Sequence, residues 1–282
     1  MRNRILAGLG VAALATVGVA APANAISDTT ADLYVVHAVP NLPVDVFVNG
    51  ELTLDAFQSG TSAGPLDLPE GEYLVEVFAD SDATERPAGD PAITNTFTLE
   101  PNMSYTVVAH PGNAAGEGAA LTAFVNDVSE IPAGQGKVTV RHTAAAPAVN
   151  VNTGSAQLNE APLELGDELV LGPLAAGTIA DVNVTVAEGG ARAIELGDVE
   201  LPAGTNIFVH AYGPEGEGEA ATYDAVIFTI DDLHSAPAGV PAGEAGLGQQ
   251  WNGGLIALGA ALMLALAGAA VVVRRQTVGA QR

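Results

Sequence analysis

Cysteine is absent from all 282 residues, which excludes disulfides and thiolate metal sites and leaves packing alone to hold any fold together. Basic residues are scarce as well, with nine Lys and Arg against 33 Asp and Glu. Five of the nine (Arg2, Arg4, Arg274, Arg275 and Arg282) lie at the two ends. The stretch between them therefore sets only Arg86, Lys137, Arg141 and Arg192 against all 33 acids, a formal charge of −29. Such a field repels nucleic acid and anionic lipid, so nucleic-acid binding is excluded; it favours solubility, cations or basic partners. Also lacking between the ends is any amphipathic helical repeat, and Gly and Pro recur too often there for long helices.

What is present at the ends is apolar and continuous. Residues 1–25 read as a secretory signal: Arg2 and Arg4 begin it, an apolar run follows from Ile5 to about Ala20, and Ala23-Asn24-Ala25 supplies a small-x-small cleavage site. Residues 254–273 hold only Leu, Ile, Val, Met, Ala and Gly, and about 20 residues at ~1.5 Å each span a hydrocarbon layer of about 30 Å. Arg274 and Arg275 follow in a short tail, 274–282, that positive-inside bias leaves in the cytoplasm, with Trp251 on the other side as an interfacial anchor. The expectation is a single-pass protein of the cell membrane, N-terminus outside and C-terminus inside. No Leu-Pro-x-Thr-Gly precedes Gly254, so the helix is expected to stay in the membrane. The Ala, Pro and Gly of 234–253 read as a flexible stalk.

Between the ends, β-branched residues alternate with polar ones. In Val44-Asp45-Val46-Phe47-Val48-Asn49-Gly50 the valines share one face, and Asn49-Gly50 is a tight-turn dipeptide. Asp181-Val182-Asn183-Val184-Thr185-Val186 alternates more strictly still, implying a sheet with one buried and one wet side. Further strands are expected at 33–37, 73–78, 93–99, 105–110, 121–126, 138–142, 193–199, 207–212 and 225–230.

The order of these features repeats. His37 and Val44 recur as His142 and Val149, both 105 residues on, and the turn Leu68-Pro69-Glu70-Gly71 is echoed by Leu174-Ala175-Ala176-Gly177. The fold class expected is all-β: two tandem antiparallel, Ig-like β-sandwich domains, 26–130 and 137–233, plus one C-terminal transmembrane helix. Residues 131–136 (Ile-Pro-Ala-Gly-Gln-Gly) would form the linker.

A strand ending in His, a Pro-containing turn, Val-Asp-Val, a Pro/Ala-Gly turn and the Tyr105-Thr106-Val107-Val108 strand together resemble the DUF4397 family, domains of unknown function in bacterial exported proteins. The second unit's opening, Gly136 to Pro147, resembles that family's start as well, although its Ser-Pro-Asp-Ala-Pro stretch is degraded here to Ala and Val. The resemblance spans about two thirds of the chain in two copies. It implies a secreted or surface β-sandwich and carries over no catalytic residue, cofactor or ligand.

Four motifs suggest chemistry. Gly60-Thr61-Ser62-Ala63-Gly64 matches a nucleophile elbow in form, with His110 as a possible base, but Pro65, Pro69 and Gly71 forbid the helix that this chemistry needs, so the segment reads as a connecting loop. His37, His110, His142, His210 and His234 fit no metal-ligand spacing, and His37 and His142, at equivalent strand ends, suggest a repeated structural hydrogen bond. Asp80, Asp82, Glu85 and Asp90 gather hard oxygens in one loop as metal candidates, calcium above all, though Arg86 sits among them and no calcium-loop order is kept. Finally, the glycine-rich loops 112–118 and 213–218 occupy corresponding places in the two units and are natural recognition surfaces. The function expected is a non-enzymatic, envelope-structural or partner-recognition role without cofactor, with an extracellular or cell-wall partner. Calcium-dependent adhesion and a serine hydrolase using Ser62 are the alternatives.

Overall fold

Alternation of buried and exposed side chains becomes sixteen strands in the computed structural model, which describes residues 29–215 and 222–233. The expected signal peptide, stalk, membrane helix and tail lie outside the described residues. Among the described residues no helix is long and apolar enough to cross a membrane. The first half holds β1 (Thr30–His37), β2 (Val44–Val48), β3 (Glu51–Phe57), β4 (Thr61–Pro69), β5 (Gly71–Ala79), β6 (Ile93–Leu99), β7 (Ser104–Pro111) and β8 (Ala119–Val125). The second holds β9 (Gln135–Arg141), β10 (Val149–Thr153), β11 (Ala156–Gln157), β12 (Glu168–Ala175), β13 (Gly177–Val186), β14 (Arg192–Leu201), β15 (Asn206–Glu215) and β16 (Thr222–Ile230).

Each half is a sandwich of two four-stranded sheets. Sheet orders β4-β1-β7-β8 and β3-β2-β5-β6 in the first reappear as β12-β9-β15-β16 and β11-β10-β13-β14 in the second, each strand number raised by eight. The inferred duplication is therefore written into the topology. Inward-facing Leu33, Val35, Val46, Val77 and Val107 fill the first core, and Val138, Val140, Val151, Val184 and Val209 the second. The spacing of two between these residues is what places them on one face of each sheet.

Four expectations need correction. The sheets are not wholly antiparallel: β1 runs parallel to β7, and β9 to β15. These partners are separated by strands of the opposite sheet, so no hairpin dictates their direction. Residues 61–64 are not a loop but the start of edge strand β4, with Ser62 paired to Val36. Edge strands tolerate the proline that argued against regular structure here. The outer sheet faces are also drier than expected. Asp45 and Phe47 are fully buried and Glu76 nearly so, because the segment after β5 folds back over them: Ser81 donates to Asp45 from its amide and hydroxyl, and Arg86 lies over Phe78 while pairing with Glu76. In the second half Asn183 is buried in bonds to the carbonyls of Gly154 and Asp181.

Residues 131–136 are not a free linker either. Ile131 is fully buried and its amide donates to Leu233, while Gln135 and Gly136 already belong to β9. The halves then meet through the outer faces of β4-β1-β7-β8 and β12-β9-β15-β16. Val36, Ala38 and Val108 join Tyr212 and Val226 in a third apolar cluster flanked by Phe124 and Phe228. Tyr34 stacks on Phe228 at 4.6 Å between ring centroids, and Phe228 in turn on Phe208 at 5.0 Å. Gly60, at φ 73°, abuts the Tyr212 ring, where a Cβ would come within 3.0 Å.

Candidate functional site

Burial of a full charge sits at the centre of this contact. Arg141 is wholly inaccessible and held between the Phe124 and Phe208 rings, its guanidinium carbon 4.5 and 5.0 Å from their centroids. It donates from Nε to Glu168 (2.7 Å), from Nη2 to Asn126 Oδ1 (2.9 Å) and from Nη1 to His210 Nε2 (3.2 Å). Asn126 belongs to the first half, so the network crosses the boundary. Burial, and then the neighbouring Arg141, push the His210 pKa down to about 3, which keeps the ring neutral and able to accept.

The remaining histidines are structural. His37 Nε2 donates to Leu42 O (2.6 Å) and His142 Nε2 to Pro147 O (3.1 Å), both five residues ahead, so the repeated hydrogen bond read from their equivalent positions is present. His110 donates from Nδ1 to Pro111 O and accepts from Thr122 at Nε2. With both nitrogens occupied it is no base for Ser62. Burial holds all three below the ordinary imidazole range. His234 lies outside the described residues.

Of the four acidic metal candidates, Asp82, Glu85 and Asp90 are exposed and enter no cluster of possible ligands among the described residues. Asp80 instead meets Asp45 and Asp55, the carboxylate oxygens all within 4.8 Å of one another. Neither Asp45 nor Asp55 stands out in the sequence, because they lie in the paired strands β2 and β3, 35 and 25 residues before Asp80. Its oxygens already accept from Ala56 N, Ser81 N and Ser81 Oγ, so it ties β3 and the segment after β5 to β2.

The first glycine-rich loop meets Pro214, at the start of the second, in one cleft. Val39 and Pro40, in the turn after β1, and Ala145, in the matching turn after β9, line a cleft of about 290 Å³. Pro111, Ala115, Gly116 and Gly118 from the β7–β8 loop complete it together with Pro214 at the end of β15. His37 and His142 each pin one of these turns, and Asn113 Oδ1 caps the β7–β8 loop by accepting from Ala115 N and Glu117 N. Ala145 N donates to Gly213 O, and Ala145 O accepts from Tyr223. Residues 216–218 of the second loop lie outside the described residues. The cleft occupies one end of the strands; Leu233, bonded to Gly204 beside the start of β15, leaves from the other.

Comparison with known proteins follows the same lines. Residues 31–152 match the family described as "Domain of unknown function (DUF4397)". The chain resembles DUF4397. The DUF4397 match takes in the whole first sandwich and runs on through β9 and most of β10, while the later strands of the second sandwich fall outside it. No curated protein matches the chain. Among solved structures the chain is similar to a "putative cell adhesion protein" of Bacteroides fragilis NCTC 9343, at 10% identity over 76% of this chain and 100% of that one, with a TM-score of 0.17. A likeness that slight carries no argument.

Proposed function

We propose that this chain is a membrane-anchored extracellular surface protein whose two Ig-like sandwiches act together, without catalysis, to recognise an extracellular partner. The observation that carries this reading is the cleft built from equivalent turns of both halves, since loops fixed by a scaffold are where binding concentrates. Among the described residues its lining holds no nucleophile and no titratable side chain. If residues 254–273 anchor the chain, the cleft lies at the end of β16 farthest from the exit at Leu233. The purified full chain in detergent micelles should bind one member of a panel of cell-wall polymers and matrix proteins saturably, and Ala115→Trp should abolish that binding. Binding to none of them, or binding indifferent to the substitution, removes the reading. Ser62, near the start of edge strand β4 and paired to Val36, should resist a serine-reactive phosphonate.

A second reading, calcium-dependent adhesion, is favoured by the Asp45, Asp55 and Asp80 carboxylates alone. Hard oxygen donors of this kind suit calcium, although Asp45 would have to share oxygens that already accept three hydrogen bonds. A cation bound only by the native state raises its stability. A melting temperature indifferent to chelator and to excess calcium ends this alternative.

A further inference from the structure

The cleft's chemistry narrows the partner. Its walls are Val39, Ala145 and three prolines, with the glycine-rich β7–β8 loop closing one side, so among the described residues it offers rigid aliphatic surface and no charged lining side chain. Glu117 stands between the lining residues Gly116 and Gly118, exposed and steadied by Asn113 Nδ2 at 3.2 Å. Among the described residues no cation is available to balance it. All four basic residues among the described ones are spent internally, Arg86 on Glu76, Lys137 on Asp127, Arg141 on Glu168 and Arg192 on Asp181 and Glu195. Of the 33 acids, all but Asp28, Glu217, Glu219 and Glu244 lie among the described residues. An anionic polymer approaching the cleft therefore meets repulsion and finds no guanidinium or ammonium to bind.

We infer that the cleft takes up an extended, lysine- or arginine-bearing segment of a basic partner protein. Lysine and arginine lay an apolar stem along an apolar surface while keeping the charged head at a polar rim. Val39, Pro40, Pro111 and Pro214 supply the surface, and Glu117 the rim. The negative field steers such a segment inward and makes its capture sensitive to salt. The inference rests on the cleft being the recognition site, as proposed above.

The absence of cysteine makes the test clean, because Ala115→Cys gives a unique thiol on an exposed lining residue. The full chain carrying that substitution, in detergent micelles, is labelled with an environment-sensitive fluorophore. It is then titrated with repeating Lys-Pro-Val, Ser-Pro-Val and Glu-Pro-Val peptides and with polyphosphate. Unlabelled protein is followed in parallel by anisotropy of fluorescein-tagged peptide. The Lys peptide should bind saturably, shift the fluorophore and protect the free thiol from alkylation. Glu117→Lys should weaken it about tenfold, equivalent to about 1.4 kcal/mol, and Ala115→Trp should remove it with the melting temperature unchanged. Equal binding of the Ser peptide, lost in Ala115→Trp, overturns the cationic partner but keeps the cleft. Preference for the Glu peptide or polyphosphate, or no binding of the Lys peptide, also overturns it. Lys-peptide binding that neither shifts the fluorophore nor responds to Ala115→Trp means capture by the general field, and both readings fall.

Discussion

The two halves share a topology and differ in the face each turns toward the other. Where β1 and β7 pair Val36 with Val108, β9 and β15 pair Arg141 with His210 at the equivalent register. One half thus presents an apolar pair, and the other a buried cation whose acceptors come from both halves. Two copies of the first face would leave the acceptor Asn126 without its guanidinium, and two of the second would set Arg141 against Arg141. The two faces are therefore complementary, and they pair within one chain.

The comparison can be broken most forcefully at Arg141. Arg141→Ala removes the guanidinium from between Phe124 and Phe208 and its bonds to Glu168, Asn126 and His210 and should cost about 3–5 kcal/mol, read from the midpoint of chemical denaturation. Arg141→Val combined with His210→Val installs the first half's own pair and should cost less than Arg141→Val alone; an equal or larger loss would show that the halves are not interchangeable at this register. Phe228→Ala, which empties the stack between Tyr34 and Phe208, should cost about 3 kcal/mol, whereas a loss near zero would mean the aromatic contact contributes shape alone.

Acid gives the next largest effect and treats the halves alike. His37 and His110 in one half, and His142 and His210 in the other, are all held below the ordinary value. The unfolded chain therefore takes up protons first. The stability these rings contribute is whole above about pH 6.5 and is lost as pH falls below it, by about 1.4 kcal/mol per pH unit for each ring that stays neutral when folded. For His210 the loss continues to about pH 3. A melting temperature flat between pH 7 and 5 would contradict this. Smallest of all is Arg192→Ala, which removes an exposed pair with Asp181 and Glu195 and should leave the denaturation midpoint unmoved; a clear shift would give this surface a part in holding the second half together.

The sequence made much of this architecture legible because period-two alternation reports directly on burial. Val44 to Val48 and Asp181 to Val186 lie in strands as expected, and the doubled spacing of His37 and His142 announced both the repeat and its hydrogen bond. Five strands escaped notice, β3, β4, β10, β11 and β12, and all but β10 are at sheet edges. β3 alternates plainly in Glu51-Leu52-Thr53-Leu54-Asp55, whereas β10 and β11 are short and Gly64-Pro65 and Gly172-Pro173 imitate turns in β4 and β12. Arg141 gave no local signal, since its partners are 15, 27 and 69 residues away. The cleft was equally hidden, because it depends on how one sandwich docks on the other.

The placement of the cleft and of Leu233 at opposite ends of β15 and β16 also fixes how the molecule would carry a pull. Tension between a captured partner and the exit point runs along the strands. Ladder bonds lie across that direction, so the β1–β7 and β9–β15 pairs would be loaded in shear, many bonds sharing the force together instead of parting one after another.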